Sequence, residues 1–388
     1  MPRIVRDHAL RLDGADPKAG APVVAFAGPA TARAVLARIR SELPAMQARA
    51  GDLDRAGGFP SADLAFLRDC GALELFGAGA AAPRDLLEAL RLIGRGSLSV
   101  GRIFEGHVNG ARLIAWCGDD GQRRRLREQL RAGEVFGVWN TEKPPGVRID
   151  TADGEPSLVG QKTFATGAGY IDHAIVTASL GDGRKQMVIA GAGDLSRADA
   201  SGWRVRGMRA TLSGVYDLTG QPANSDTLLG GPGDYEREPR FSAGAWRFTA
   251  VQLGGVERVI GLLRDHLAGS PAGEDPIHRA RFGQALAAAR SAFMWVREAA
   301  DRAEAGNAGP DEIAFVLMTR GVVERAGLAA IEAAERTVGT RAFFDDGPID
   351  QACRDLALYL RQPAPDQALG RAAAAFIERD CWRDDPLW

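Results

Sequence analysis

Residues 136–146, FGVWNTEKPPG, and 160–174, GQKTFATGAGYIDHA, decide how the rest of the chain reads. The first opens on alternating positions, Phe136, Val138 and Asn140, and breaks at Lys143-Pro144-Pro145-Gly146, where two prolines withhold backbone donors and stop a ladder. It predicts a strand running into a rigid loop. Residues 158–164 (LVGQKTF) and 174–178 (AIVTA) are rich in β-formers, and Gly167-Ala168-Gly169 supplies a turn between them. Together they predict part of a small antiparallel sheet.

On the N-terminal side, residues 1–27 are rich in Pro, Gly and Asp and show little periodicity, which predicts a loosely ordered arm or a surface strand. Residues 31–49 carry Val35, Leu36, Ile39, Leu43 and Met46 at helical spacing, and further helices are predicted from Ser61, around Leu86–Ile93 and over 97–116. Gly94-Arg95-Gly96 follows a helix and lacks a third glycine, so it is no dinucleotide fingerprint. Beyond Phe241 the alternation stops. Alanine-rich helices are predicted over 246–267, 277–304, 310–337 and about 369–379. The expected division is a helical domain over 1–134, a β-sheet domain over 135–236 and a helical bundle over 237–388.

The chain has 388 residues, 45% of them hydrophobic, enough for a sizeable core and several domains. Its 48 basic and 50 acidic residues leave a net charge of -2, with no overall field to draw it to nucleic acid or an anionic membrane. Cys70, Cys117, Cys353 and Cys381 lie far apart and without histidine at ligand spacing, which predicts neither a metal site nor a disulfide framework. Charges between Met1 and Asp7 sit where a signal peptide needs an apolar core, so a cytoplasmic protein is expected.

The central stretch resembles the acyl-CoA dehydrogenase family, in which a T-E-P-x-x-G-S-D loop precedes a G-x-K-x-[FW]-[IV]-T-N-A-x-x-A-D segment. Thr141, Glu142 and Gly146 match the first, and Gly160, Lys162, Phe164, Thr166, Ala168 and Asp172 the second. The resemblance extends to Gly118, Gln122, Arg123, Gly133 and Glu134, to WRVRGMRATLSGVYDL over 203–218, and to Arg279 and Phe282 of an R-x-x-F-G motif. It implies an α+β flavoprotein with an N-terminal all-α domain, a middle antiparallel sheet domain and a C-terminal four-helix bundle, binding FAD as a homodimer or homotetramer. The implied cofactor residues are Val138, Asn140, Thr141, Phe164, Ala165 and Thr166 along the isoalloxazine, with Arg279 and Phe282 reaching the pyrophosphate of a neighbouring subunit. Val338-Gly339-Thr340-Arg341-Ala342 stands where the family has a G-G-x-G turn, which adds Gly339 and Thr340.

An isoalloxazine needs a flat apolar cover and fixed donors and acceptors along its polar edge, which Phe164 and Thr166 can supply. The family's catalytic glutamate is missing: residues 356–366 read LALYLRQPAPD, and the alternative place near Ala243-Gly244-Ala245 is empty too. Asp366, Glu105 and His107 are the remaining candidates for acid–base work. Glu105 and Asn109, one helical turn apart, can share a face while His107 points elsewhere. Arg361 would make this end of the pocket electropositive. The resemblance implies hydride transfer from an acyl-type small molecule, an acyl-CoA among the options, to flavin. Loss of the glutamate equally suits a flavin monooxygenase or oxidase on a substrate without CoA, or a catalytically idle paralogue.

Overall fold

The computed structural model describes residues 31–378 apart from Asp153 and Pro363. The arm expected over 1–27, Arg379 and Cys381 lie outside the described residues. Helices come first: α1 (Ala32–Ala56), α2 (Ser61–Asp69), α3 (Ala72–Gly77), α4 (Pro83–Gly96), α5 (Leu98–Cys117) and α6 (Asp120–Ala132). Their starts are written locally. Ser97 accepts the Val100 N–H to cap α5, and Asp119 and Gln122 form a reciprocal capping box at α6. The Gln122 amide also donates to Leu228 O at 2.8 Å, tying α6 to the strands.

The strands follow: β1 (Phe136–Trp139), β2 (Arg148–Asp150), β3 (Ser157–Val159), β4 (Gln161–Ala165), β5 (His173–Ser179), β6 (Lys185–Gly191), β7 (Ala198–Asp199), β8 (Gly214–Asp217) and β9 (Leu228–Leu229). They form two sheets rather than one small antiparallel sheet. In the larger, β1 and β2 both run parallel to β5, β6 pairs antiparallel on its other side, and β3 and β9 extend the edges. In the smaller, β4, β8 and β7 are antiparallel.

The predicted strand over 158–164 is cut at Gly160, which takes φ +118 where a Cβ would lie 2.5 Å from Gly146 O. That turn sends β3 to one sheet and β4 to the other.

The remaining helices are α7 (Arg240–Ala243), α8 (Trp246–Ala268), α9 (Pro276–Ala303), α10 (Pro310–Val338), α11 (Pro348–Tyr359) and α12 (Pro365–Ile377). The fold is α+β, with sheets between two helical parts and α8, α9, α10 and α12 packed as a four-helix bundle. No periodicity had singled out α11. It lies against α8 and fastens the loop before β8: the Met208 N–H donates to Asp355, and Arg354 pairs with Asp54 of α1 at 2.6 Å and takes Arg206 O.

The N-terminal helices meet the bundle where α4 crosses α8. A Cβ on Gly254 would fall 2.1 Å from Arg91 O, and one on Gly94 2.3 Å from Val251 O, so the backbones touch. Gly254→Ala should therefore destabilise the protein by about 1–3 kcal/mol through overpacking. Gly261→Ala in the same helix meets nothing within 4 Å and should stabilise it by about 0.5–1 kcal/mol. Urea unfolding of the two variants would show opposite shifts, and equal shifts would refute the tight crossing.

Candidate functional site

The structure brings together the two segments that the motifs had singled out. The Thr163 N–H donates to Thr141 O at 2.8 Å, and the Trp139 indole N–H to Thr166 O at 3.0 Å. Val138 of β1 and Asn140 and Thr141 just after it thus lie beside Phe164 and Ala165 of β4 and Thr166 just beyond. Ala165 is buried, whereas Asn140, Thr141 and Phe164 are exposed. Phe164 stands out: the residue is 59% exposed, its φ is +53, and the β4–β8 register slips between Lys162 and Ala165. A bulge with a left-handed residue re-aims a side chain, here turning an aromatic face outward beside Trp203, 6.1 Å away and edge-on.

The Thr166 hydroxyl ends a chain whose direction can be derived. Thr211 Oγ1 donates to Met208 O at 2.9 Å, since a carbonyl only accepts. Ser213 must then donate to Thr211, at 2.8 Å, and Thr166 to Ser213, at 3.0 Å. Thr166 Oγ1 is left with lone pairs alone for anything on its open side. Asn140 is oriented likewise. Its Oδ1 accepts the Thr177 hydroxyl at 2.5 Å, which turns its NH2 the other way. The edge therefore offers a flat apolar face, an acceptor and a donor.

A buried lysine holds this edge. Lys162 Nζ donates to Glu142 at 2.5 Å, to Thr177 Oγ1 at 3.1 Å and to Asn140 O at 3.2 Å. Burial pushes the Lys162 ammonium below its ordinary value, with Glu142 opposing; burial works against the Glu142 carboxylate too, yet Lys162 and Lys185 hold it low. Glu142 also accepts the Val147 N–H at 3.1 Å, closing the Pro144-Pro145 loop over itself.

The α5 residues go to different tasks. His107 is fully buried: its Nδ1 accepts the Phe136 N–H at 3.2 Å, so Nε2 carries the proton and donates to Leu73 O at 2.9 Å. Glu105 is buried as well, accepting from Arg102 and Asn109. Asn109 accepts from Arg247, and Arg247, Arg112 and the Trp246 indole all donate to Glu304. Asp366 is exposed in the first turn of α12.

Arg279 and Phe282 sit on α9, away from the β1–β4 edge in sequence. Arg279 is exposed and bonded to Gly273 O and Glu274, while Phe282 packs partly buried against the core. Gly339 and Thr340 are exposed just past α10. Arg361 ion-pairs with Glu324 at 2.5 Å, which offsets the charge that the sequence had suggested for this end. Trp139, Trp203, Thr211 and Ser213 were missed as site residues; no strand alternation could have found the last two, because Thr211 ends a 3-10 turn and Leu212 between them is left-handed, with φ +41.

No protein-family model matches the chain. A dibenzothiophene monooxygenase of Rhodococcus erythropolis is 29% identical over 289 residues, spanning 66% of this chain and 69% of that protein. Among solved structures, FMN-bound TdsC from Paenibacillus sp. A11-2 superposes with a TM-score of 0.79 at 21% identity, covering 89% of this chain and 97% of that one. The methanesulfinate monooxygenase MsuC of Pseudomonas fluorescens does so at 0.77 and 18%, with the same coverage. This chain shares their fold.

The His107 geometry has a pH consequence. Burial lowers its imidazole from 6.5 to about 4, the Leu73 carbonyl and Asp172 opposing, and a second proton on Nδ1 would displace the Phe136 N–H. Between those values the unfolded chain binds a proton that the folded chain does not, so the His107 contribution to stability is lost as pH falls from about 6.5 to about 4. His107→Asn should cost about 1–3 kcal/mol at pH 7.5. The gap to the parent should narrow on acidification, as urea midpoints at pH 7.5, 6 and 5 would show, and a constant gap would refute the assignment.

Proposed function

We propose that the protein is a flavin-dependent monooxygenase that takes up reduced flavin and oxygenates a small molecule carrying no CoA. The observation that carries this reading is the polarity of the hydroxyl chain ending at Thr166. An acceptor there suits the N5–H of a reduced flavin and leaves the N5 lone pair of an oxidised flavin facing oxygen lone pairs. The relation to dibenzothiophene monooxygenase and the shared fold of FMN-bound TdsC support it.

The reactive group is the reduced isoalloxazine, which supplies two electrons to dioxygen; one oxygen atom goes to the substrate and the other leaves as water. The protein's own residues position and shield. Phe164, with Trp203 beside it, would cover one ring face; Thr166 would accept from the N5 edge; and the Asn140 NH2, turned away from Thr177, would donate to a carbonyl of the ring. Val138 and Thr141 would line the floor, with Ala165 buried beneath it.

We assign the mononucleotide rather than FAD, since the turn at Val338–Ala342 keeps one glycine of the G-G-x-G pattern and TdsC is an FMN-bound relative in fold. Arg279, exposed beside Ile277, Leu286 and Met294 on α9, would reach the phosphate of a second subunit, with Phe282, Gly339 and Thr340 around it, in a homodimer or homotetramer.

Dehydrogenation of an acyl thioester is the weaker reading because it needs a free carboxylate base. Glu105 is occupied by Arg102 and Asn109, and Asp366 faces solvent.

Anaerobic titration should give tighter binding of reduced than of oxidised FMN, by roughly 3- to 10-fold, the scale of one hydrogen bond. Thr166→Val should erase that difference, and Ser213→Ala should shrink it by freeing the Thr166 proton to turn. Oxygenation should require a separate NAD(P)H–flavin reductase. Equal or tighter binding of oxidised FMN by the parent protein, or bleaching of its flavin by acyl-CoAs, would sink the proposal.

A further inference from the structure

Resting on that monooxygenase reading, we infer that Asp355 is a proton-released latch on the flavin edge: its ionised carboxylate holds the Met208 turn, and with it Trp203 and the hydroxyl chain, and its neutral form lets that turn go.

The turn is strained. Met208 (φ +53) and Leu212 (φ +41) are both left-handed and flank the single turn Arg209–Thr211, a conformation that L residues avoid. Met208 is the pivot. Its carbonyl accepts the Thr211 hydroxyl at 2.9 Å and the Trp203 indole N–H at 3.3 Å, so the aromatic beside Phe164 and the chain that ends at Thr166 hang on one residue. The Met208 N–H goes to Asp355.

Asp355 is 4% exposed; one oxygen accepts that N–H and the other the Gln351 amide at 2.6 Å. An ionised acceptor holds an N–H roughly twice as strongly as a neutral one. Around it, Asp54 of α1 repels the carboxylate and Arg354 of its own helix favours it. Arg95 of α4 and Arg258 of α8 line, with Gln47, Gln351 and Asp355, a cavity of about 20 Å³, room for one water. Glu335 of α10 and the Arg102 and Glu105 pair of α5 are felt at Cys353 and Tyr359 along the same helix. Burial dominates, and against the Met208 N–H, Arg354 and Gln351 it pushes the Asp355 carboxyl up to about 7.

A proton here has a place to go. Gln351 can turn its amide so that Oε1 accepts where Nε2 now donates, and their 2.6 Å spacing suits an O–H···O bond. The Met208 N–H then faces a weaker acceptor, the turn relaxes, and the Met208 carbonyl swings away from Thr211 and Trp203. Between 3.8 and about 7 the folded chain holds a proton that the unfolded chain has released, so the Asp355 contribution to stability is lost as pH rises through about 7. An asparagine would make both bonds without that cost. What only the carboxylate supplies is a hold that a proton can release.

Nitrogen-15 labelling of the tryptophan indoles, with the Trp203 resonance assigned by Trp203→Phe, follows the turn without flavin. From about pH 5.5 to 8.5 the Trp203 signal should shift with a midpoint near 7 in the parent protein and stay level in Asp355→Asn, which is neutral throughout. Anaerobic titration with FMN should show the preference for the reduced form falling by roughly 3-fold or more from pH 8.5 to 5.5 in the parent, the scale of one hydrogen bond, and low and level in Asp355→Asn. Ionisation of the flavin itself is common to both proteins and cancels in the comparison. If Asp355→Asn does not fold, Gln351→Leu decides, since loss of a donor to the carboxylate should move the Trp203 midpoint upward. A level Trp203 signal in the parent, the same pH profile of either readout in parent and Asp355→Asn, or an unmoved midpoint in Gln351→Leu overturns the inference. A protein that fails to bind FMN at all overturns the monooxygenase reading instead, and the Trp203 titration is read independently of it.

Discussion

The site depends on one junction, where α11 grips the loop between β7 and β8. Arg354 holds Asp54 of α1 and the carbonyl of Arg206, while the next residue, Asp355, accepts the Met208 N–H. The backbones are in contact, since a Cβ on Gly207 would lie 2.2 Å from Arg354 O. Three parts of the chain distant in sequence therefore share two adjacent side chains. Breaking such a buried pair leaves an uncompensated charge, so the junction closes as a unit. Its output is the position of Met208, whose carbonyl sets the direction of every hydroxyl from Thr211 to Thr166. A fold-level clamp thus fixes the donor or acceptor character of one atom at the site.

The same logic explains why strain is found where it is. Phe164 and Met208 both take φ +53, in a region that L residues avoid at a cost of about 1–2 kcal/mol each. They lie at the two ends of that hydroxyl chain. Lys162, buried two residues before Phe164, holds Asn140, Glu142 and Thr177 and prevents the bulge from relaxing into a regular ladder. A regular β4 would bury Phe164 or turn it to the other face, since side chains alternate along a strand.

What was legible in the sequence follows from range. Helix ends at Ser97 and Asp119 are written within three residues, and they were readable to within a residue or two. The pairing of Glu105 with Asn109 is a one-turn relation and was legible too. The bulge at Phe164 was not, because the register slip is set by β8, some fifty residues on, and alternation alone predicts a continuous strand. Nor could sequence spacing reveal Arg247 and Glu304 as partners of α5, or Glu324 as the partner of Arg361. The α11 helix escaped because Pro348 starts it without a polar cap and its apolar face is short.

α5 shows how one helix can serve two requirements. His107 faces β1 and is neutral, bonding two backbone groups that would otherwise be orphaned, and its removal is a matter of stability. Arg102, Glu105 and Asn109 face α8 and α11 and carry charge into the interior, where a well-packed apolar replacement would commonly be as stable or more so. Stability alone gives no reason to place three guanidiniums there. Pairing offsets their cost, since Glu105 takes Arg102 and Glu304 takes both Arg112 and Arg247. The helix therefore separates two roles by face: the side toward the sheet holds β1 in place through His107, and the side toward the bundle carries paired charge into the interior.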